Sequence, residues 1–442
     1  MADIGPGQLH ADSTLAGIPT SYAGKFANPD LRRLQGQSLS VAVVTLHAMS
    51  RFRLLPTPVQ QVALVEHCRH ARFVWNLAVE QQQLWQRGRR GPDYHEQSAQ
   101  LTEIRAEYDW LAAGSQTVQQ QALRDFAQAM RNYFAGTHRR PTWRKAGVHE
   151  GFRQVDLKPH HVEKLNRRHG RVWVPKIGWI RFRWTRAVPA GVKSYRITQD
   201  RAGRWHLAFA HIPDPIPAPG DGSVVGVDRG ITVSVALSTG ELLHCPALTP
   251  GEQTRLRRLQ QRLTGAKRGS ERRQRTKLAI AKLKARETDR RRDWIEKTTT
   301  NLARQFDTIR VEDLDVRAMT RSARGTLAQP GVRVAQKRGL NRAINRQGWG
   351  RLVARLDDKA GGRIERVPAA YTSQRCSVCG HVAPENRKSQ AVFACVACKA
   401  EPCNADVNAA RNIAAGRAVP ARGDLAIRRS ANREPQPSCP AV

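Results

Sequence analysis

Two Cys-x-x-Cys pairs, Cys376-Ser-Val-Cys379 and Cys395-Val-Ala-Cys398, stand fifteen residues apart near the C-terminal end of the chain. Pairs at this spacing form two knuckles whose four thiolates close a tetrahedron around one Zn²⁺ ion, with no open coordination position, so the predicted site is structural and not catalytic. The competing readings are four unconnected buried cysteines or an iron–sulfur site. Cys403 is a further thiol close by and is not assigned as a ligand; Cys68, Cys245 and Cys439 lie outside the spacing. A thiolate metal site of this kind belongs to a reducing compartment, not to a disulfide framework. In keeping with that, Met1 to Gln37 hold no apolar core behind a charged start. No segment approaches the roughly 18 apolar residues that span a bilayer, so secretion and membrane insertion are not expected.

The second constraint is charge. The 442 residues include 74 Lys+Arg against 37 Asp+Glu, a formal surplus of +37. A chain this basic repels itself unless a polyanion neutralises it, which points to nucleic acid first, to a membrane surface second, and away from a generic metabolic enzyme. With 40% hydrophobic residues the chain can still build cores, and its length suggests about two to four domains.

Along the chain, residues 1–39 are polar and Gly/Pro-punctuated, a loose tail. Ser40-Val-Ala-Val-Val-Thr-Leu46 is a β-branched run of strand length. Thr57 and Gln60 form a capping box with Pro58 at the first helical position, so a helix starts there and runs to about residue 86, with Val59, Val62, Val65, Val74 and Leu77 as its expected buried stripe. Val118, Ala122, Leu123, Phe126, Ala129, Met130 and Tyr133 mark a second helix that Gly136 stops. Between Val172 and Ile212, short alternating segments (171–174, 179–183, 194–197, 205–209) predict a small β-barrel. The strand at 40–46 is expected to join it, which makes the helices an insertion. Pro213 to Gly222 is the clearest linker. Beyond it lie a strand at 223–228, a hairpin partner at 232–237 and a strand at 307–312. A charged helical stretch at 252–292 holds 16 Lys/Arg and 4 Asp/Glu.

The fold class is therefore multi-domain α+β. The expected divisions are a disordered tail (1–39), the first part of the barrel (40–56), a helical lobe (57–140), the rest of the barrel (141–212) and the linker (213–222). After these come an α/β domain (223–370), a zinc module (371–402), the return of the α/β domain (403–416) and a disordered basic tail (417–442).

Three acidic residues carry the candidate chemistry. Asp228 and Glu312 each end an apolar strand, and Asp406 opens the Ala-rich helix 406–415. Carboxylates at such places are costly to desolvate without a cation or a hydrogen-bond network. Three meeting at one point would suit two Mg²⁺ ions about 4 Å apart, activating water and stabilising the leaving oxygen. Taken singly, each has a plainer role: a turn residue, an ion-pair partner and a helix N-cap.

These segments together resemble the RuvC-like nuclease of the TnpB family, transposon-encoded RNA-guided nucleases related to the miniature type V CRISPR effectors. The resemblance rests on Gly226-Val-Asp-Arg-Gly-Ile231, Val311-Glu-Asp-Leu-Asp-Val316, the two cysteine pairs and Asp406-Val-Asn-Ala-Ala-Arg-Asn-Ile413. It also includes Phe52-Arg-Leu-Leu-Pro-Thr-Pro58, Ala71-Arg-Phe-Val-Trp-Asn76 and Val174-Pro-Lys-Ile-Gly-Trp179, and so spans about residues 40–416. It implies that Asp228, Glu312 and Asp406 bind two Mg²⁺ ions in an RNase H-like domain. It also implies that Cys376, Cys379, Cys395 and Cys398 hold one Zn²⁺ in a module inserted between the second and third acids. Two departures are Lys399, where a glycine often follows the last zinc cysteine, and Cys403, just before the third acid. The implied protein is a cytoplasmic bacterial RNA-guided DNA endonuclease, nucleoid-associated when on DNA and acting as a monomer or a dimer. Its expected partners are a transposon-derived guide RNA and a double-stranded DNA target beside a short adjacent motif, with no membrane.

Candidate nucleic-acid contacts are Arg257, Arg258, Arg272 and Arg273 in the charged stretch, with Arg139, Arg140 and Trp143 in a segment suited to backbone contact and stacking. His160 and His161 have no partner at metal spacing and are taken as surface, and 371–374 carries no assigned role. The competing functions are a CRISPR-associated effector, a carboxylate transposase that joins strands, and a guide-directed DNA binder without cleavage.

Overall fold

The computed structural model describes residues 50–83, 91–211 and 213–416. The expected strand at 40–46, both expected tails and the last residues of the first helix (84–86) lie outside them. The first described strand is β1 (Ser50–Leu55), followed by four helices: α1 (Pro58–Gln83), α2 (Tyr94–Glu107), α3 (Asp109–Ala112) and α4 (Gln116–Phe134). Six strands come next: β2 (Gly151–Val155), β3 (Val162–Lys164), β4 (His169–Val174), β5 (Gly178–Arg183), β6 (Ser194–Gln199) and β7 (Trp205–Phe209). They form a seven-stranded sheet with β1, in the order β2-β6-β7-β1-β5-β4-β3 and antiparallel throughout.

The centre of this sheet is held by β1, between β7 and β5. Its alternation explains this: Phe52 and Leu54 are 1% exposed, while Arg51 and Arg53 fall on the opposite face. Phe52 packs edge-on against Phe182 and Phe209, with ring centroids 5.4 and 5.6 Å away.

The capping box of α1 is present, with the Thr57 N–H donating to Gln60 Oε1 (3.1 Å) and the Gln60 N–H to Thr57 Oγ1 (3.3 Å). Its buried face matches the expected stripe only in part. Val74 is buried and Leu77 half-buried, but Val59 and Val62 are 80% and 72% exposed and Val65 is exposed too, while Leu64, Cys68, Ala71, Trp75 and Ala78 are buried in their place. On a helix turning about 100° per residue, strict steps of three slip backwards by about 60° each, and this carries 59, 62 and 65 off the core. In α4, Val118, Ala122, Leu123, Phe126 and Met130 are buried as expected, whereas Ala129 is half-buried and Tyr133, near the helix end, is exposed; Gly136 ends the segment at φ +70.

Beyond residue 213 the elements are β8 (Val224–Asp228), β9 (Val235–Leu237), β10 (Leu242–Leu243), α5 (Pro250–Thr264), α6 (Glu271–Gln305), β11 (Thr308–Glu312), α7 (Val316–Met319), α8 (Val334–Gln347), α9 (Trp349–Ala360), β12 (Ile364–Val367), β13 (Val392–Phe393), β14 (Cys403–Asn404) and α10 (Ala405–Ala414). A second sheet runs β10-β9-β8-β11-β12, with β8, β11 and β12 parallel and β9 and β10 antiparallel. It has its own core, built from Val225, Val227, Ile309 and Val311 against Ile295, Leu302, Leu352 and Leu356.

One expectation needs correction here. The charged stretch is two helices, α5 and α6, separated at 265–270. The Pro-rich segment after residue 212 is held to the second half of the chain by hydrogen bonds. The Ile216 N–H donates to the Lys359 carbonyl (2.7 Å), the Arg363 guanidinium donates to the Ile216 carbonyl (2.7 Å), and the Gly220 and Gly222 N–H groups donate to the Asp307 carboxylate. The two sheets are also tied by Arg204, which pairs with Asp200 (2.8 Å) and with Asp289 of α6 (2.6 Å). No described helix is long and apolar enough to cross a membrane.

Candidate metal centres and nucleic-acid surface

The Sγ atoms of Cys376, Cys379, Cys395 and Cys398 all lie within 4.8 Å of one another. Cys376 and Cys398 are 3.8 Å apart, and Cys379 and Cys395 3.6 Å. With Zn–S bonds near 2.3 Å, the edge of a regular tetrahedron is about 3.8 Å, so the four thiols fit a zinc ion. Burial disfavours the Cys395 thiolate, but the N–H groups of Ala397 and Cys398 and the neighbouring thiols outweigh it and hold the group down at about 6. Asn386, fully buried, braces the knuckles: its amide donates to the carbonyls of Gln374 (2.9 Å) and His381 (3.1 Å), and its Oδ1 accepts from the Val396 N–H (2.9 Å). Cys403 sits on β14 opposite Phe393, packed on this module but outside the four-thiol group.

The second sheet sets two of the expected carboxylates beside each other. β8 and β11 run parallel in a register that pairs Val227 with Val311, so the next residues, Asp228 and Glu312, emerge side by side at the same strand ends. α10 crosses β8 at Gly226, where a Cβ would meet the Ala410 carbonyl oxygen at 2.0 Å and the Ala414 nitrogen at 2.4 Å. Only glycine allows this approach. Asp406 is one helical turn before Ala410 and Asp228 two residues after Gly226, which aligns both with the same side of the sheet.

Glu312 is 9% exposed and accepts a 2.7 Å hydrogen bond at Oε1 from the Thr372 hydroxyl. Arg229, itself buried, donates to the Glu312 carbonyl. Burial lowers the Arg229 guanidinium, while Glu312 and Asp228 work in the opposite direction. Asn404 caps α10 by accepting from the N–H groups of Asp406 (3.0 Å) and Val407 (3.1 Å). Arg387, from the cysteine module, reaches Asp406 Oδ1 at 3.5 Å. These are hard oxygen donors, a set that suits Mg²⁺ or Mn²⁺ and not a thiophilic metal.

Sequence reasoning missed Thr372, Arg387, Arg229 and the paired Asn408 and Asn412. The signal for the asparagines was their four-residue spacing behind Asp406, which puts them on one face of α10.

Of the expected nucleic-acid contacts, Arg257, Arg258 and Arg272 are exposed on α5 and α6. Arg273 is not free: its Nη1 donates to the carbonyls of Leu263 (2.6 Å) and Ala266 (3.0 Å), closing the end of α5. Arg139 is exposed, Arg140 donates to the Gln82 carbonyl (2.7 Å), and Trp143 packs against the first core. The neighbour Arg144 lies 3.7 Å over the Trp75 ring, and burial brings its guanidinium down to about 10. His160 and His161 meet edge to face, with ring centroids 4.5 Å apart.

The fold and the site define an α+β protein in which a four-cysteine module able to bind zinc adjoins carboxylates at the ends of parallel strands. Three family models match it: a probable transposase of the IS605 OrfB type over residues 207–323, a Cas12f1-like TNB domain over 349–413, and the OrfB helix-turn-helix domain over 48–90. The chain is 36% identical over 383 residues to the putative RNA-guided DNA endonuclease InsQ of Escherichia coli K12, covering 85% of this chain and 94% of that protein. It is 31% identical over 389 residues to a putative RNA-guided DNA endonuclease of Streptomyces pristinaespiralis, covering 85% and 90%. A solved Cas12f1–sgRNA–target DNA complex aligns with a TM-score of 0.46 and 12% identity, over 81% of this chain and 83% of that one. The chain belongs to the TnpB family.

Proposed function

We propose that this protein is an RNA-guided DNA endonuclease encoded by an insertion-sequence transposon. The observation that carries the reading is the convergence of Asp228 and Glu312 on adjacent parallel strand ends, with Asp406 delivered by α10 across Gly226. The mixed order of the second sheet, with α10 packed on β8, supports an RNase H-like nuclease domain. The first sheet, interrupted by α1–α4, supports a barrel with an inserted lobe that holds the guide.

Asp228, Glu312 and Asp406 would hold two Mg²⁺ ions, which when bound supply an activated water and stabilisation of the leaving oxygen in phosphodiester hydrolysis. The chain's own groups do the rest. Thr372 fixes one oxygen of Glu312, Asn404 fixes the helix start that carries Asp406, and Arg387 places positive charge beside it. The exposed arginines of α5 and α6 neutralise nucleic-acid phosphates. Guide pairing reads the target sequence, and the protein reads a short adjacent motif.

Purified from its host, the protein should carry a defined RNA and cut a matching duplex in the presence of Mg²⁺. Asp228→Ala should lower cleavage by about three orders of magnitude or more while guided DNA binding persists. Loss of binding together with cleavage, or the absence of any defined RNA, would overturn the proposal.

A further inference from the structure

The zinc-capable module and the carboxylates share more than proximity. Tyr371 takes a left-handed backbone conformation, φ +62, which is strained for a bulky residue and turns the chain sharply after β12. The turn delivers Thr372, 4% exposed, so that its hydroxyl meets Glu312 Oε1 at 2.7 Å. A hydroxyl has one proton, and its other acceptor, the Ala369 carbonyl, is farther away at 3.2 Å, so the proton goes to the carboxylate.

Thr372 is in turn fixed from below. Asn412 donates to the Thr372 carbonyl (2.9 Å) and to the Arg375 carbonyl (2.7 Å). Asn408 donates to the same Arg375 carbonyl (2.7 Å) and accepts from the Ser377 N–H (3.0 Å), the residue after the first zinc-site cysteine. Both asparagines are buried. An unbroken set of hydrogen bonds therefore runs from the first knuckle, through α10, to the carboxylate of Glu312.

We infer that Thr372 is a positioning residue, tying the cysteine module to the metal-binding orientation of Glu312. The inference rests on the carboxylate-site reading above. Removing a partner that orients a metal-ligating carboxylate typically lowers metal affinity by roughly 10- to 100-fold.

The test is direct Mn²⁺ binding to the full-length protein, followed by electron paramagnetic resonance, with zinc content and thermal unfolding measured on each variant. Wild type should bind Mn²⁺ and Asp228→Ala should not; if wild type fails to bind, or Asp228→Ala binds equally well, the carboxylate site itself is refuted. Given that site, Thr372→Val should weaken Mn²⁺ binding roughly 10- to 100-fold with zinc content unchanged. Thr372→Ser, which restores the hydroxyl, should recover most of the affinity. Should Thr372→Val fold poorly, Asn412→Leu, which cuts the clamp and spares the hydroxyl, should weaken Mn²⁺ binding in the same direction. Unchanged affinity in the folded variants, or a serine variant as weak as the valine, would overturn the inference and leave the carboxylate site standing.

Discussion

The cysteine tetrad and the carboxylates differ in how each is assembled. The four thiols come from 23 consecutive residues, Cys376 to Cys398, and their mutual distances are set by local turns braced by Asn386. The acids span Asp228 to Asp406 and depend on a sheet register and on one helix crossing a glycine. A site built from neighbours tolerates distortion of the fold around it, whereas one built from distant elements inherits every error in their packing.

This contrast makes a crossed prediction. Cys379→Ser should abolish zinc binding, the largest effect, because structural zinc sites contribute on the order of 10 kcal/mol, while leaving the pairing of β8 with β11 intact. Metal analysis of the purified variant decides it, and a full zinc complement would contradict the coordination. Gly226→Ala should do the reverse. Zinc stays, but α10 is pushed off β8 at a cost of about 1–3 kcal/mol, lowering both the melting temperature and the cleavage rate. If that variant cleaved normally, the close crossing would not be what aligns Asp406.

The smallest effect guards against mistaking unfolding for metal loss. His206 is buried in the first sheet, its Nε2 3.0 Å from Asp200. Burial pushes His206 down to about 4, and hydrogen bonds from Arg204 and His206 overcome burial to hold Asp200 at about 2. The unfolded histidine protonates near pH 6.5 and the folded one does not until about 4. Stability from this group is therefore complete above pH 6.5 and declines as pH falls towards 4, by at most about 1.4 kcal/mol per pH unit. Melting curves of His206→Gln should show a shallower acid slope than wild type; parallel slopes would mean that another group is responsible.

What the sequence disclosed follows the same division. The cysteine pairs, the Thr57–Gln60 box and most of the apolar face of α4, from Val118 to Met130, are local patterns that recur in the structure. The strands β2, β3 and β12 escaped notice because they are short and, as in Ile364-Glu-Arg-Val367, carry charge where a strand pattern wants apolar residues; pairing with β6, β4 and β11 respectively makes them strands. Arg273 looked like any other arginine in a basic run until the end of α5 arrived beside it. Thr372 and Arg387 had no signature at all, since a lone hydroxyl or guanidinium acquires meaning only when a carboxylate is folded against it.

The helix α6 is 35 residues long, about 52 Å at 1.5 Å per residue, and has neither proline nor glycine to bend it. It begins beside the exposed arginines at the α5–α6 turn and ends two residues before β11, the strand that terminates in Glu312. It works as a rigid spacer between these two places, and adding or deleting a helical turn would shift one end relative to the other in steps of about 5.4 Å.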